Sequence, residues 1–146
     1  MHKLVIGIGN ELRADDGAGA LVVRRLEQYA LPDVQTECIP QLTPEWLERM
    51  AGAGITILVD VRVPQDSDDG GVWLQSLQEI HQGPSAGHAL NVTELVALGE
   101  RIYGKHIHVL VCSIPAFDFT IGNPVSEACV ALIDPSVREI LAVVEV

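Results

Sequence analysis

Two kinds of apolar pattern alternate along the chain. Leu4, Val5 and Ile6 form a short unbroken run closed by Gly7 and Gly9, which predicts a strand buried on both faces. Behind it, Ala18, Val22, Leu26 and Tyr29 recur at helical spacing. Leu31-Pro32-Asp33 is a breaker, and Val34–Ile39 then alternates apolar and polar as a second strand. Thr43-Pro44-Glu45 reads as an N-cap with proline at the first helical position. The helix it opens carries Trp46, Leu47, Met50 and Ala51 and stops at Gly52 and Gly54. Ile55–Val59 is another run that is apolar but for Thr56, a central strand, and it ends on Asp60.

The second half is less regular. Arg62–Gly71 is a polar loop, Val72–Leu74 a short strand, and residues 75–90 an irregular stretch with at most a helical turn. Asn91-Val92-Thr93-Glu94 looks like a capping box, followed by the stripe Leu95, Leu98, Ile102 and a closing Gly104. Ile107–Cys112 is the last buried strand, and Ser113–Pro124 is a loop in which Phe117 and Phe119 are expected to pack into the core, with contact to a partner protein as the alternative. Asn123-Pro124 opens a final helical segment that Asp134-Pro135 either kinks or divides in two. Strand, helix, strand, helix, strand predicts an α/β fold: a three-layer αβα sandwich over a mostly parallel twisted sheet of about five strands, with room for one antiparallel edge strand. The 146 residues suit one domain spanning 1–146.

Composition narrows the partners. The formal net charge of -11 argues against nucleic acid and anionic membrane, both of which need a basic footprint. The three cysteines, Cys38, Cys112 and Cys129, have no metal spacing; Cys112 and Cys129 lie in apolar runs and Cys38 in an alternating strand, so buried free thiols in a reducing compartment are expected. The first apolar run ends at Gly7, too short for a signal peptide, and no stretch is apolar enough to span a bilayer. A soluble cytoplasmic protein is the expectation.

Four patterns invite a chemical reading. Gly7-x-Gly9 begins like a dinucleotide fingerprint, but Leu12 stands where the third glycine belongs, and Asp15 and Asp16 would repel a pyrophosphate. Gly83-Pro84-Ser85-Ala86-Gly87 matches the elbow of serine hydrolases, yet Glu79–Gln82 before it is a poor strand, so a loop is expected. Asp66-x-Asp68-x-x-Gly71 hints at a calcium loop but has Gly70 and Leu77 where oxygen ligands are needed, which leaves a solvated acidic loop. The fourth is Asp16, Asp60 and His88. Asp16 follows the first strand and Asp60 ends a central one, so in a parallel sheet both lie at the edge where ligands bind. Two carboxylates and an imidazole form a set that suits zinc, nickel or similar metals. Spacing alone does not join His88 to the acids, and an N-cap aspartate, a salt-bridged aspartate and a surface histidine is the competing reading. His2, His81, His106 and His108 carry no such pattern.

At this point the chain resembles the hydrogenase maturation proteases, which trim the C-terminus of the large subunit of nickel-iron hydrogenases. Gly7-Ile8-Gly9-Asn10-x-Leu12-x-x-Asp15-Asp16-Gly17-x-Gly19 is similar to that family's signature. Leu58-Val59-Asp60 resembles its second acidic strand end, and Ser85–Leu98 with His88 its histidine loop and helix. Ser113-Ile114-Pro115, Ile121-Gly122 and Pro124-Val125 resemble its closing segment. The resemblance implies an endopeptidase that removes the C-terminal extension of a nickel-iron hydrogenase large-subunit precursor after nickel insertion. It implies that Asp16, Asp60 and His88 are the catalytic and metal-contacting residues, that the nickel comes with the substrate rather than being held by the free protein, and that the precursor is the partner. The alternative it leaves is a nickel-binding maturation chaperone that does not cut. Arg62–Gly87 matches poorly, which leaves the substrate-facing surface open.

Overall fold

The apolar runs of the first and third strands become neighbours at the centre of one sheet. β1 (Lys3–Ile8) pairs in parallel with β2 (Val34–Ile39) on one side and β3 (Ile55–Arg62) on the other. β5 (Val109–Pro115) continues the parallel set beyond β3, and β4 (Trp73–Ser76) closes the far edge antiparallel to β5. The five-stranded order is β2-β1-β3-β5-β4. These are the coordinates of a computed structural model that describes residues 2–82 and 87–145; the side chains of 80–82 and 87–91 lie outside that description.

Alternation along each strand sends neighbouring residues to opposite faces. Val5, Ile57, Val59, Cys112 and Ile114 pack against α1 (Ala18–Glu27) and α6 (Ile133–Val144). Leu4, Ile6, Leu58, Val109 and Val111 pack against α2 (Leu47–Gly52) and α4 (Gly87–Tyr103). Both faces of the central strands are therefore covered, which is why they read as nearly continuous apolar runs. The result is the expected αβα sandwich. Among the described residues no helix is long and apolar enough to cross a membrane.

Several local expectations are corrected. The chain from 75 to 90 is not mainly irregular: α3 (Leu77–Gln82) follows β4 directly, and α4 begins at Gly87. Asn91 thus lies inside α4 rather than at its start, because Ala89 and Leu90 are strong helix formers that carry the helix one turn back. The buried stripe of α4 is Val92, Val96 and Gly99, while Leu98 and Ile102 are exposed. A Cβ on Gly99 would stand 2.8 Å from Ile107 Cδ1, so α4 rides closer to its neighbours than a larger residue permits. Thr43 makes no cap hydrogen bond; its hydroxyl donates to Glu45, and a 3₁₀ turn (Pro44–Trp46) precedes α2. The last helical segment is two helices, α5 (Glu127–Val130) and α6, and the N-cap of α5 is Ser126, whose side chain accepts from the Cys129 N–H.

Cys112 and Cys129 are buried as expected, but Cys38 is exposed because β2 is an edge strand. Phe117 is exposed as well, whereas Phe119 packs against the α1–α6 core. Tyr29 falls beyond the end of α1 and is exposed. The acidic loop after β3 is not simply solvated. Arg62, buried at the end of β3, donates to both oxygens of Asp68 at 2.7 Å and to the carbonyls of Ser113 and Gly71, and stacks over Trp73 at 3.4 Å. The Gly83–Gly87 pattern lies at residues 83–86 outside the described chain.

Candidate active site

The loop after β1 is shaped by contacts that only glycine allows. A Cβ on Gly7 would stand 2.7 Å from the Gly19 carbonyl oxygen, and one on Gly19 would stand 2.6 Å from the Val59 carbonyl oxygen. α1 therefore lies almost against the backbone of β1 and β3 at its first turn. Gly9 has φ of 143°, and a Cβ there would fall 2.0 Å from the Asp16 carbonyl oxygen. The chain turns at Gly9, Asn10 accepts from Leu12 N–H through Oδ1, and Ala14, at φ of 49°, leads into a 3₁₀ turn (Ala14–Gly17).

That turn sends two adjacent carboxylates in different directions. Asp15 is fully buried. Its Oδ2 accepts from the N–H of Phe117 at 2.7 Å, the N–H of Asp118 at 3.1 Å and the Ser126 hydroxyl at 2.8 Å. Its Oδ1 accepts from the Ser126 N–H at 2.6 Å. Burial pushes the Asp15 carboxyl up, but these donors outweigh it and hold it below the usual aspartate range. Asp16 is half-buried and accepts from the Asn10 N–H at 2.7 Å. The sequence offered the pair without saying which acid faces inward; only packing distinguishes them.

Asp60 stands half-buried in β3, opposite Ser113 of β5, and its Oδ1 accepts from the Val61 N–H at 2.8 Å. Asp16 and Asp60 line one cavity of about 420 Å³. Ile8, Leu42, Val92 and Leu95 form its apolar wall, and Asn10, Arg13 and Gln41 add polar groups. Arg13 carried no sequence signal; its guanidinium lies over the Phe119 ring at 5.7 Å. The cavity opens at the carboxyl ends of β1 and β3. From β1 the chain winds outward to β2, then crosses back to β3 on the opposite side. That reversal is the switch point at which open α/β sheets bind ligands.

His88 lies in the first turn of α4, and its side chain lies outside the described residues. Val92 and Leu95, later in the same helix, are cavity residues. Among the described residues no three His, Cys, Asp or Glu side chains form a metal-holding group. The two carboxylates are oxygen donors that a divalent cation could bridge, and one of them could equally take a proton from water. His106 and His108 are exposed at the opposite end of the sheet, away from this cavity.

No protein-family model and no curated protein matches this chain. Solved structures do. Hydrogenase maturating endopeptidase HybD from E. coli superposes with a TM-score of 0.81 at 24% identity, covering 99% of this chain and 93% of that one. The [NiFe] hydrogenase maturation protease HybD from Thermococcus kodakarensis gives 0.75 at 19% identity, covering 99% of each chain. The hydrogenase 2 maturation peptidase from a Thaumarchaeota archaeon gives 0.69 at 19% identity, covering 97% of each. The fold is that of the hydrogenase maturation proteases. The likeness runs through both central strands, so the cavity at their carboxyl ends sits in a shared framework.

Proposed function

We propose that this protein is an endopeptidase of hydrogenase maturation, removing the C-terminal extension of a nickel-iron hydrogenase large-subunit precursor after nickel insertion. The observation that carries the reading is the meeting of Asp16 and Asp60 in one cavity at the switch point of this fold. It is supported by two solved structures with this fold that are named a hydrogenase maturating endopeptidase and a [NiFe] hydrogenase maturation protease. In this reading the nickel is cargo of the precursor. Asp16, Asp60 and His88 engage it and so set the register of the chain to be cut. His88 enters from the resemblance and from its place in the first turn of α4, one turn ahead of the cavity residue Val92.

The chemistry then falls to the protein's own carboxylates. Asp16, held by the Asn10 N–H, takes a proton from water as that water adds to the scissile carbonyl carbon. The C–N bond breaks, and the proton passes to the leaving amine. The apolar wall from Ile8, Leu42, Val92 and Leu95 limits bulk water at the reacting carbonyl.

The test is to mix the protein with a large-subunit precursor from the same organism, with and without nickel, and follow loss of the C-terminal extension by mass spectrometry. Cleavage of the loaded form alone is expected. Asp60→Asn should lower the rate by two orders of magnitude or more while leaving the circular-dichroism spectrum unchanged. Tight nickel binding with no product peptide would overturn the peptidase reading in favour of a maturation chaperone, and full cleavage by the Asp60→Asn protein would remove Asp60 from the mechanism.

A further inference from the structure

We infer that Asp15 is a positioning residue that sets where Asp16 stands by bracing the loop after β1 against the loop after β5. Its carboxylate takes up four donors, all from residues 117–126, and its own N–H donates to the Asp118 carbonyl at 2.9 Å. Each loop therefore holds the other through the same residue. A second strap runs alongside, from the Gly122 N–H to the Leu12 carbonyl at 2.9 Å. The partner loop is itself stiffened where Asp118 accepts from the Thr120 N–H and from Asn123 Nδ2.

Asp16 follows Asp15 directly and has little freedom of its own. Its N–H donates to the Arg13 carbonyl, its carboxylate is met by Asn10, and its carbonyl faces Gly9 at a distance that excludes a Cβ. Ala14, just before, is held at a positive φ that a non-glycine residue leaves unless its surroundings fix it. Once Asp15 releases its donors, the turn loses the contacts that oppose that relaxation. Asp16 would move with it, and catalytic placement tolerates only a fraction of an ångström. Asparagine at 15 cannot replace the carboxylate, because its amide group would point N–H toward the donors of Ser126 or Phe117. Only the rate arm of the test below rests on the proposed peptidase reading.

The experiment compares the full-length protein with Asp15→Asn and with Met50→Ala, a core change in α2 on the sheet face whose core takes no residue from either loop. Amide hydrogen exchange and the Asn10 amide proton shift are read by NMR, and kcat and KM are measured on nickel-loaded precursor where all three proteins are folded. In Asp15→Asn the amides of Phe117, Asp118 and Ser126 should exchange at least tenfold faster relative to those of β1 and β3. The Asn10 amide, which reports the position of Asp16, should shift, and kcat should fall at least tenfold with a smaller change in KM. Met50→Ala should do none of these. Ser126→Ala, which removes one donor, should give smaller changes in the same direction and serves if Asp15→Asn does not fold. An unmoved Asn10 amide, or an unchanged kcat beside faster loop exchange, overturns the positioning role. If wild-type protein leaves the precursor uncut, the peptidase reading fails while the NMR arms still decide the role of Asp15.

Discussion

Replacing Gly19 by alanine sets two physical effects against each other with opposite signs. Gly19 is the second residue of α1, and alanine in a helix is favoured over glycine by about 1 kcal/mol. The added Cβ, however, would lie 2.6 Å from the Val59 carbonyl oxygen, 3.1 Å from Ile8 N and 3.2 Å from the Ile8 carbonyl oxygen. The first of these is about 0.8 Å short of ordinary contact, and all three atoms are backbone of central strands that cannot rotate aside. Overpacking of this kind costs roughly 1–3 kcal/mol, and a clash with main chain belongs at the upper end. The net expectation is a loss of about 2 kcal/mol, or roughly 4–8 °C in Tm for a chain of this size. Urea unfolding followed by far-UV circular dichroism measures it. Gly52→Ala is the control: a Cβ on that helical glycine would meet nothing within 4 Å, so the variant should be neutral or slightly more stable. A Gly19→Ala protein as stable as wild type, with an unchanged m-value, would refute the close-approach argument and leave helix propensity as the larger effect.

Buried groups elsewhere in the molecule give three more expectations. The Arg62 guanidinium beside Asp68 holds its carboxyl below the usual aspartate range, against the opposing effect of burial. Because the unfolded chain has the higher pKa, this stabilisation is complete above the ordinary value of about 4 and is lost as pH falls through the lower folded value. Unfolding free energies measured from about pH 6 down to about pH 2 should therefore decline less for Asp68→Asn than for wild type; parallel curves would show that the pair is not coupled to folding. Thr56 is fully buried, and among the described residues its hydroxyl has no hydrogen-bond partner, so Thr56→Val should raise stability by about 1–2 kcal/mol in the same urea assay. Burial pushes the Cys112 and Cys129 thiols up to about 12, while Cys38 is exposed. A thiol reagent at mildly alkaline pH should modify one cysteine in the folded protein and all three in denaturant, and modification of Cys112 or Cys129 without unfolding would contradict the packing described.

Much of this architecture was legible in the chain. Leu4–Ile6 and Ile55–Val59 read as strands covered on both faces, because short, nearly continuous apolar runs bounded by turn residues suit a sheet buried on both sides. Asp16 and Asp60 followed as residues of one sheet edge, since parallel strands put all their carboxyl ends together. The weak region was 75–91, where Gly, Ser and His mask a helix start. Local pattern favoured a cap at Asn91, but the helix propagates back through Ala89 and Leu90.

The layers, the parallel centre of the sheet and the edge at which the acids gather all depend on the period of apolar residues and on chain connectivity, so the primary structure suffices for them. Other features exist only once distant segments meet. Asp15 turns inward to brace the loop after β5 while Asp16 faces the cavity, Arg13 joins that cavity, and Cys38 and Phe117 face solvent. Adjacent carboxylates are alike in any local reading. What separates them is which one meets buried N–H groups, and those arrive from the far end of the chain.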